Sequence, residues 1–479
     1  MTTQEDMLTI NEAADFLTTT RPTLYRWLRQ GKVKGIKMGR QWRFKKEDLS
    51  KFLQGRSDEI DLPMDISPFL NELASQIKKP SKYPKEPLKE AFTLMVELMI
   101  EQRAESIHLG SFLAAVGPER VCSLRLRVDG MLRQVTRLDS RLLKSLIDYW
   151  KKMAGCDGRE RSVPQDGRIL LESDSENKPT ETIDLRVSFL PSLLGETLTV
   201  RRVNFGRSSL DQFEILQNDR DRIRRCLAGR SRLFVVSGLA GSALESVICA
   251  GLSEITGPDK RTITVEGLAW QVIPWSTPVS LSSMGESRSY AVAVRTVLRS
   301  DPDIVGLRKI ADTDTLNAAL EATVKGALVV AGVNARSALD TLRQLQNLTE
   351  NVTSLLQALE LVFCQTLVRK LCLHCREQVP EAERESLKEQ YCDLYPSPSS
   401  PYRAVGCSHC NGVGYRGRLL VGETITLSRS FADLIRIGAP QASLAKEARR
   451  EGTVFRETQL AELVKQGVTS LEEAGRVLN

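Results

Sequence analysis

Residues 233–246 read LFVVSGLAGSALES: an unbroken apolar run that stops at Gly238, a glycine-containing loop, and then helix-forming residues. So short an apolar run suits a strand buried on both faces, and the loop after such a strand is where an α/β protein holds its ligand. A working phosphate loop requires G-x-x-x-x-G-K-[ST]. Its glycines let backbone N–H groups surround the phosphates, its lysine reaches the β- and γ-phosphates, and its hydroxyl meets Mg²⁺. Aligned on the strand and on Gly238, this chain retains Gly241 and Ser242 but has Ala243 for the last glycine, Leu244 for the lysine and Glu245 for the hydroxyl residue, with Ser246 one place later. The cation is gone, and a carboxylate stands where a polyanion would approach.

Further runs follow downstream: TITVE (262–266), DIVGL (303–307) and ALVVAGV (327–333), separated by helical segments. This alternation predicts an α/β fold with a parallel sheet covered on both faces, over residues 206–368. Upstream, a helical pattern through 91–102 leads into Ser106-Ile-His-Leu and an alternating strand at 123–128, so residues 86–205 read as an α+β unit. Proline and charge interrupt any periodicity over 56–85, which reads as a linker with a short helix near 69–77. Beyond 368 the chain is marked by cysteine pairs (369–425) and ends in helices (426–479), and PSPSSP at 396–401 reads as a surface loop.

At 479 residues the chain is long enough for three or four domains, and its 5% aromatic content suits α/β or helical folds better than antiparallel β. A net charge of +7 does not by itself mark a nucleic-acid partner at this size. No run of ~20 apolar residues is present and the start MTTQEDMLTI has no basic-then-apolar leader, so a cytoplasmic location is expected.

The charge is concentrated near the N-terminus. From Arg21 to Lys46 there are ten lysines or arginines and no acid. Residues 1–55 read as two short helices, a strand pair and a further helix over Asp48–Leu53 that closes the core. In the first helix Ile10, Ala13, Ala14 and Leu17 share one face, and Asn11 can serve at its start. In the second, over 21–30, Pro22 fits the first turn and Gly31 the position past the end. Leu24, Trp27 and Leu28 face inward, while Arg21, Thr23, Arg26 and Arg29 face outward. Lys37, Arg40 and Arg43 lie on the strand pair flanking Gly39, placed to project from a wing. A cation-bearing second helix can sit in a major groove and reach phosphates and base edges. The same pattern also suits a solvated basic face on a protein-contact module. Ile10-Asn-Glu-Ala-Ala, Arg21-Pro-Thr-Leu-Tyr-Arg-Trp-Leu and Gly39-Arg-Gln-Trp-Arg-Phe resemble the excisionase and MerR-like helix-turn-helix family over residues 7–54, which implies binding of DNA through the second helix and a wing.

Gln165-Asp-Gly-Arg, Asp184-Leu-Arg-Val-Ser, Gly195-Glu-Thr-Leu-Thr-Val-Arg, Ser106-Ile-His-Leu and Arg127-Val-Asp-Gly stand in the order found in the type II secretion and type IV pilus assembly ATPases. That resemblance runs from about Glu86 to the C-terminus. It implies a RecA-like P-loop NTPase core, a PAS-like N-terminal domain and a four-cysteine zinc subdomain. It also implies a hexamer, alone or mixed with a related ATPase, with secretion or pilus components at the inner membrane as partners. By the same resemblance Arg127, Arg186 and Arg201 match arginines that reach a neighbour's nucleotide; the alternative is pairing with acids at a subunit interface. The family's Asp-Pro-Asp strand leads to a Gly-Glu pair, but after Asp301-Pro-Asp303 this chain has Arg308 and Lys309 in those places. The family's acidic box keeps only Glu266, and its box ending in histidine ends here in Asn334. With cations and carboxylates exchanged, ATP and Mg²⁺ binding is doubtful and no catalytic residue is assigned.

Cys372-Leu-His-Cys375 and Cys407-Ser-His-Cys410 are two C-x2-C knuckles, which can supply the four thiolates that a structural zinc prefers. Reduced thiols without metal are the alternative. The other six cysteines are scattered, and His108 reads as a hydrogen-bonded structural residue.

Overall fold

The computed structural model describes residues 7–29, 33, 36–38, 41–46, 49, 65–78, 86–113, 120–172, 182–203, 209–239, 242–266, 273–280, 290–349, 351–391, 394 and 401–478. At the N-terminus, β1 (Met7–Thr9) runs into the helix Ile10–Phe16. Thr9, rather than Asn11, caps that helix: its hydroxyl accepts from the Glu12 amide, and the Glu12 carboxylate accepts from the Thr9 amide at 2.8 Å. The helix Arg21–Arg29 follows, then β2 (Ile36–Met38) and β3 (Gln41–Lys45), in an antiparallel sheet of order β1-β3-β2. Ala13, Ala14, Leu17, Leu24 and Phe44 are buried between them as a small core.

The next unit begins earlier than its charge pattern suggests. The helix Ser67–Ser75 buries Phe69, Leu70 and Leu73 in the same cluster as Leu94, Met95 and Leu98 of the helix Pro87–Glu101. Part of the expected linker therefore belongs to this core. The strands β4 (Ser106–Leu113), β5 (Arg120–Val128), β6 (Met131–Leu138), β7 (Gln165–Glu172), β8 (Thr182–Leu190) and β9 (Thr197–Val203) form an antiparallel sheet of order β6-β5-β4-β9-β8-β7. Period-two alternation gives it an apolar face, with Ile107, Leu109, Leu124, Leu126, Val187 and Val200 packed on those helices and on Ser140–Met153. The opposite face carries Ser106, His108, Arg127, Arg186 and Arg201.

The C-terminal unit is built around β10 (Leu233–Ser237), every residue of which is buried. Leu233 and Val235 enter one cluster with Val329, Leu316 and Leu339, whereas Phe234 and Val236 enter another with Ile223, Val247 and Ile248. Both faces are thus covered, as its unbroken apolar run requires. Around it lie β11 (Thr262–Glu266), β12 (Ser276–Ser280), β13 (Ile304–Leu307), β14 (Leu328–Val333) and β15 (Leu359–Leu371). After the short pair β16 (Glu377–Gln378) and β17 (Tyr402–Arg403) comes β18 (Tyr415–Thr426). The sheet order is β12-β11-β13-β14-β10-β15-β18, parallel except for the β15–β18 pair. The cysteine segment is therefore an excursion from a long hairpin of the core sheet, and most of β18 is core rather than a separate zinc unit. No helix of the described residues is long and apolar enough to cross a membrane.

Candidate functional site

The loop after β10 is pinned tightly. A side chain at Gly238 would meet the Ser242 hydroxyl at 2.3 Å and the Gln365 carbonyl at 2.6 Å, so only glycine fits there. The Ser242 amide donates to the Leu239 carbonyl at 3.0 Å, and Gln365 Nε2 donates to the Ser242 carbonyl at 3.0 Å. At least one loop amide is thereby used inside the protein. Ala243 holds φ +61°, the left-handed conformation a glycine would supply at this point of the motif.

Leu244 opens the helix Leu244–Ile255 and packs on the Phe234–Val236 cluster, its Cδ2 2.8 Å from where a Cβ of Gly332 would stand. Apolar contact thus turns the half-buried Leu244 side chain toward the core. Glu245 instead meets Arg308 at the end of β13: Oε1 accepts from Nη2 at 2.6 Å and from Nε at 2.8 Å. The Arg308 amide donates to the Tyr290 hydroxyl at 2.8 Å, and that hydroxyl donates to the Val265 carbonyl. Ser246, Lys309 and Asn334 are exposed. Gly241 and the side chain of Glu266 lie outside the described residues.

The structure brings Gly238, Ser242, Leu244, Glu245 and Arg308 to the C-terminal ends of the parallel strands. It does not bring Asp303 there. That carboxylate precedes β13, accepts from the Arg261 amide at 2.9 Å and lies 3.6 Å from Arg230, at the opposite edge of the sheet. Partners 63 residues apart made the Glu245–Arg308 pair unreadable from spacing. Tyr290 and Gln365 carry no motif that would have singled them out.

In the N-terminal sheet the register aligns Arg127 with Ser106, Ser106 with Arg201, Arg201 with Arg186 and Arg186 with Arg168. The three arginines singled out in the sequence therefore share one row on the polar face. Arg168, the last residue of Gln165-Asp-Gly-Arg, binds the buried Asp184 through two contacts of 2.8 Å. Arg127 donates to the Gly130 carbonyl at 2.7 Å. His108 lies on the same face with Nε2 2.8 Å from the Ser106 hydroxyl; burial, then Arg127, Arg125 and Arg201, push its pKa down to about 4, so it is neutral.

The two cysteine knuckles meet. Sγ–Sγ distances are 3.9 Å (Cys372–Cys407), 3.7 Å (Cys375–Cys410) and 3.8 Å (Cys407–Cys410), and all four sulfurs lie within 4.8 Å of one another. Zinc–sulfur bonds of about 2.3 Å in a tetrahedron give edges of about 3.8 Å, so the set fits zinc. Amides of Gly406, Cys407 and Gly414 donate to Cys375 or Cys410 sulfur at 3.1–3.3 Å, contacts that favour the thiolate form. Burial pushes Cys375 up to about 12; Cys410, although burial raises it too, is held at about 6 by the Cys407 and Gly414 amides.

In the N-terminal module Arg21 is exposed, Arg43 is half-buried on β3, and Thr23 lies with its hydroxyl 2.9 Å from that of Thr20. Arg40 and the side chains of Arg26, Arg29 and Lys37 lie outside the described residues.

Comparison with known proteins follows the same division. Residues 82–476 match the family described as type II/IV secretion system protein, and residues 7–57 match a helix-turn-helix domain. The chain is 30% identical over 400 residues to the type II secretion system ATPase E of Vibrio cholerae, covering 82% of this chain and 75% of that protein. It is 29% identical over 363 residues to the type IV pilus assembly ATPase PilB of Pseudomonas aeruginosa, covering 75% and 63%. The structure of the Legionella pneumophila ATPase DotB superposes with a TM-score of 0.59 at 16% identity, covering 84% of this chain and 97% of that one, a likeness of fold. The chain belongs to the type II/IV secretion system protein family and carries an N-terminal helix-turn-helix domain.

Proposed function

We propose that this protein is a non-hydrolysing member of its family, an oligomeric scaffold or regulator that presents helix-turn-helix modules to DNA. The observation that carries this reading is the Glu245–Arg308 ion pair, at 2.6 Å, in the two places where a nucleotide-binding family member would have a hydroxyl and a glycine. Phosphoryl transfer rests on positioning and on cations that stabilise spreading charge. Here the lysine position is apolar and turned inward, and Lys309 replaces the carboxylate beside the phosphates. The intact apolar strands and the cysteine quartet support a body still constrained to fold. Zinc held by Cys372, Cys375, Cys407 and Cys410 would be structural, with no open coordination position.

Arg21, Thr23, Arg26, Arg29, Lys37, Arg40 and Arg43 are the side chains assigned to DNA. One such small module binds weakly, so a hexamer, uniform or mixed with a related ATPase, raises affinity by multiplying it. Replacing Arg26 and Arg40 with alanine in the full chain should weaken duplex binding across sequences and flatten its salt dependence. Unchanged binding would turn the module into a protein-contact element, directed at another secretion component.

A second reading, a motor that still binds nucleotide, draws on the retained Gly238 and the left-handed backbone at Ala243. Nucleotide titration and phosphate release, run on one preparation with its oligomeric state measured, separate the two.

A further inference from the structure

The chain leaving the last cysteine makes a path of tight turns to the N-terminal sheet. Between Cys410 and Arg418, Asn411, Gly412, Gly414 and Gly417 all adopt positive φ, from +53° to +80°. The Gly414 amide donates to Cys410 Sγ at 3.1 Å, and its carbonyl accepts from the Cys372 amide at 2.8 Å, so both knuckles hold this segment. Three residues later the Gly417 amide donates to Asp129 Oδ2 at 2.8 Å. Arg418 then lies between Glu105, at 3.2 Å, and Asp129, at 4.0 Å, with all three side chains no more than 31% exposed.

On the other side, Asp129 and Gly130, at φ +50° and +79°, form the two-residue turn between β5 and β6. Glu105 Oε1 accepts from the Gly130 amide at 2.7 Å while it pairs with Arg418. Arg127 donates to the Gly130 carbonyl, and Ser106, next to Glu105, stands in the arginine row. One cluster therefore ties the row Arg127–Arg201–Arg186 to the segment shaped by the cysteines.

We propose that metal in the four-cysteine site closes this clasp: the ion fixes residues 411–418, which then hold the β5–β6 turn and set the arginine row on the core, and loss of the ion releases it. The proposal rests on the quartet binding metal and is independent of DNA binding. Because the coupling is reciprocal, opening the clasp must also weaken the hold on metal by the same factor.

The test is hydrogen exchange on the full-length protein, zinc-loaded and after stripping with a chelator under reducing conditions. Stripping should accelerate exchange at least threefold both at 411–420 and at 103–131, while 182–203 stays protected. Asp129→Asn in the zinc-loaded chain should accelerate the same two segments with zinc still bound, and should release zinc at least threefold faster to a chromogenic chelator. Deprotection of 411–420 with 103–131 unchanged would overturn the proposal, as would zinc release unaltered by Asp129→Asn. If stripping unfolds the whole chain, the Asp129→Asn and Arg418→Ala release rates decide. A chain that takes up no zinc also overturns it.

Discussion

Replacing Glu245 with threonine removes the partner of Arg308 and restores a hydroxyl to the loop. The pair is close, at 2.6 Å, but its side chains are 44% and 41% exposed, so its loss should cost about 0.5–1 kcal/mol and leave the fold intact. The effect on nucleotide should be larger. A carboxylate about 5 Å from one phosphate charge repels it by roughly 0.8–3 kcal/mol for effective dielectric constants of about 80 to 20. At a site this open the lower part applies, about 1–2 kcal/mol, or an affinity gain of about 5- to 30-fold. Arg308, freed of its carboxylate, adds to the gain, so the double variant Glu245→Thr/Arg308→Ala should recover only part of it. Titration of a fluorescent ATP analogue at low salt, with and without Mg²⁺, measures each variant. Unchanged affinity in Glu245→Thr would refute the view that this carboxylate excludes nucleotide. Turnover should stay at the blank rate, because Lys309 remains.

Three further outcomes follow from the same geometry. Ala243→Gly should stabilise the fold by about 0.5–1 kcal/mol, read as a higher urea midpoint, since it relieves a left-handed alanine at some cost in chain entropy; a lower midpoint would contradict the left-handed assignment. Cys375→Ala should abolish stoichiometric zinc measured by atomic absorption and expose the segment between the knuckles to protease. The third concerns Asp219, buried in the helix Gln217–Leu227, whose pKa burial pushes up to about 6 against the opposing Thr424 hydroxyl and Arg222. Its folded value lies above its unfolded one, so the folded state holds the proton more tightly and stability falls as pH rises from about 4 to 6. Asp219→Asn should flatten that slope in chemical denaturation, which amounts to about 2–3 kcal/mol at most.

What could be read from the sequence was what depends on local pattern. Short apolar or alternating runs marked β10, β11, β13 and β14, and doubled spacing marked the cysteine quartet. The helix Ser67–Ser75 was only partly legible: its Phe69, Leu70 and Leu73 sit among prolines and charges, and only packing against Pro87–Glu101 draws them into a core. β12 is a polar edge strand, STPVS, with little apolar signal. β15 and β18 owe their place to pairing with each other over a long register, which no local window contains. The position of Asp303 followed from strand direction: a residue before a parallel strand cannot share a site with the loop after its neighbour. At the candidate site, sequence supplied which groups were exchanged, whereas the way Glu245 and Arg308 satisfy each other, and the inward turn of Leu244, emerged only from the packing.

The most direct measurement is phosphate release by the purified, unmodified full-length chain at saturating ATP and Mg²⁺, with its oligomeric state recorded alongside. The account predicts a rate indistinguishable from a protein-free blank. Sustained magnesium-dependent hydrolysis, abolished by chelating magnesium, would contradict it.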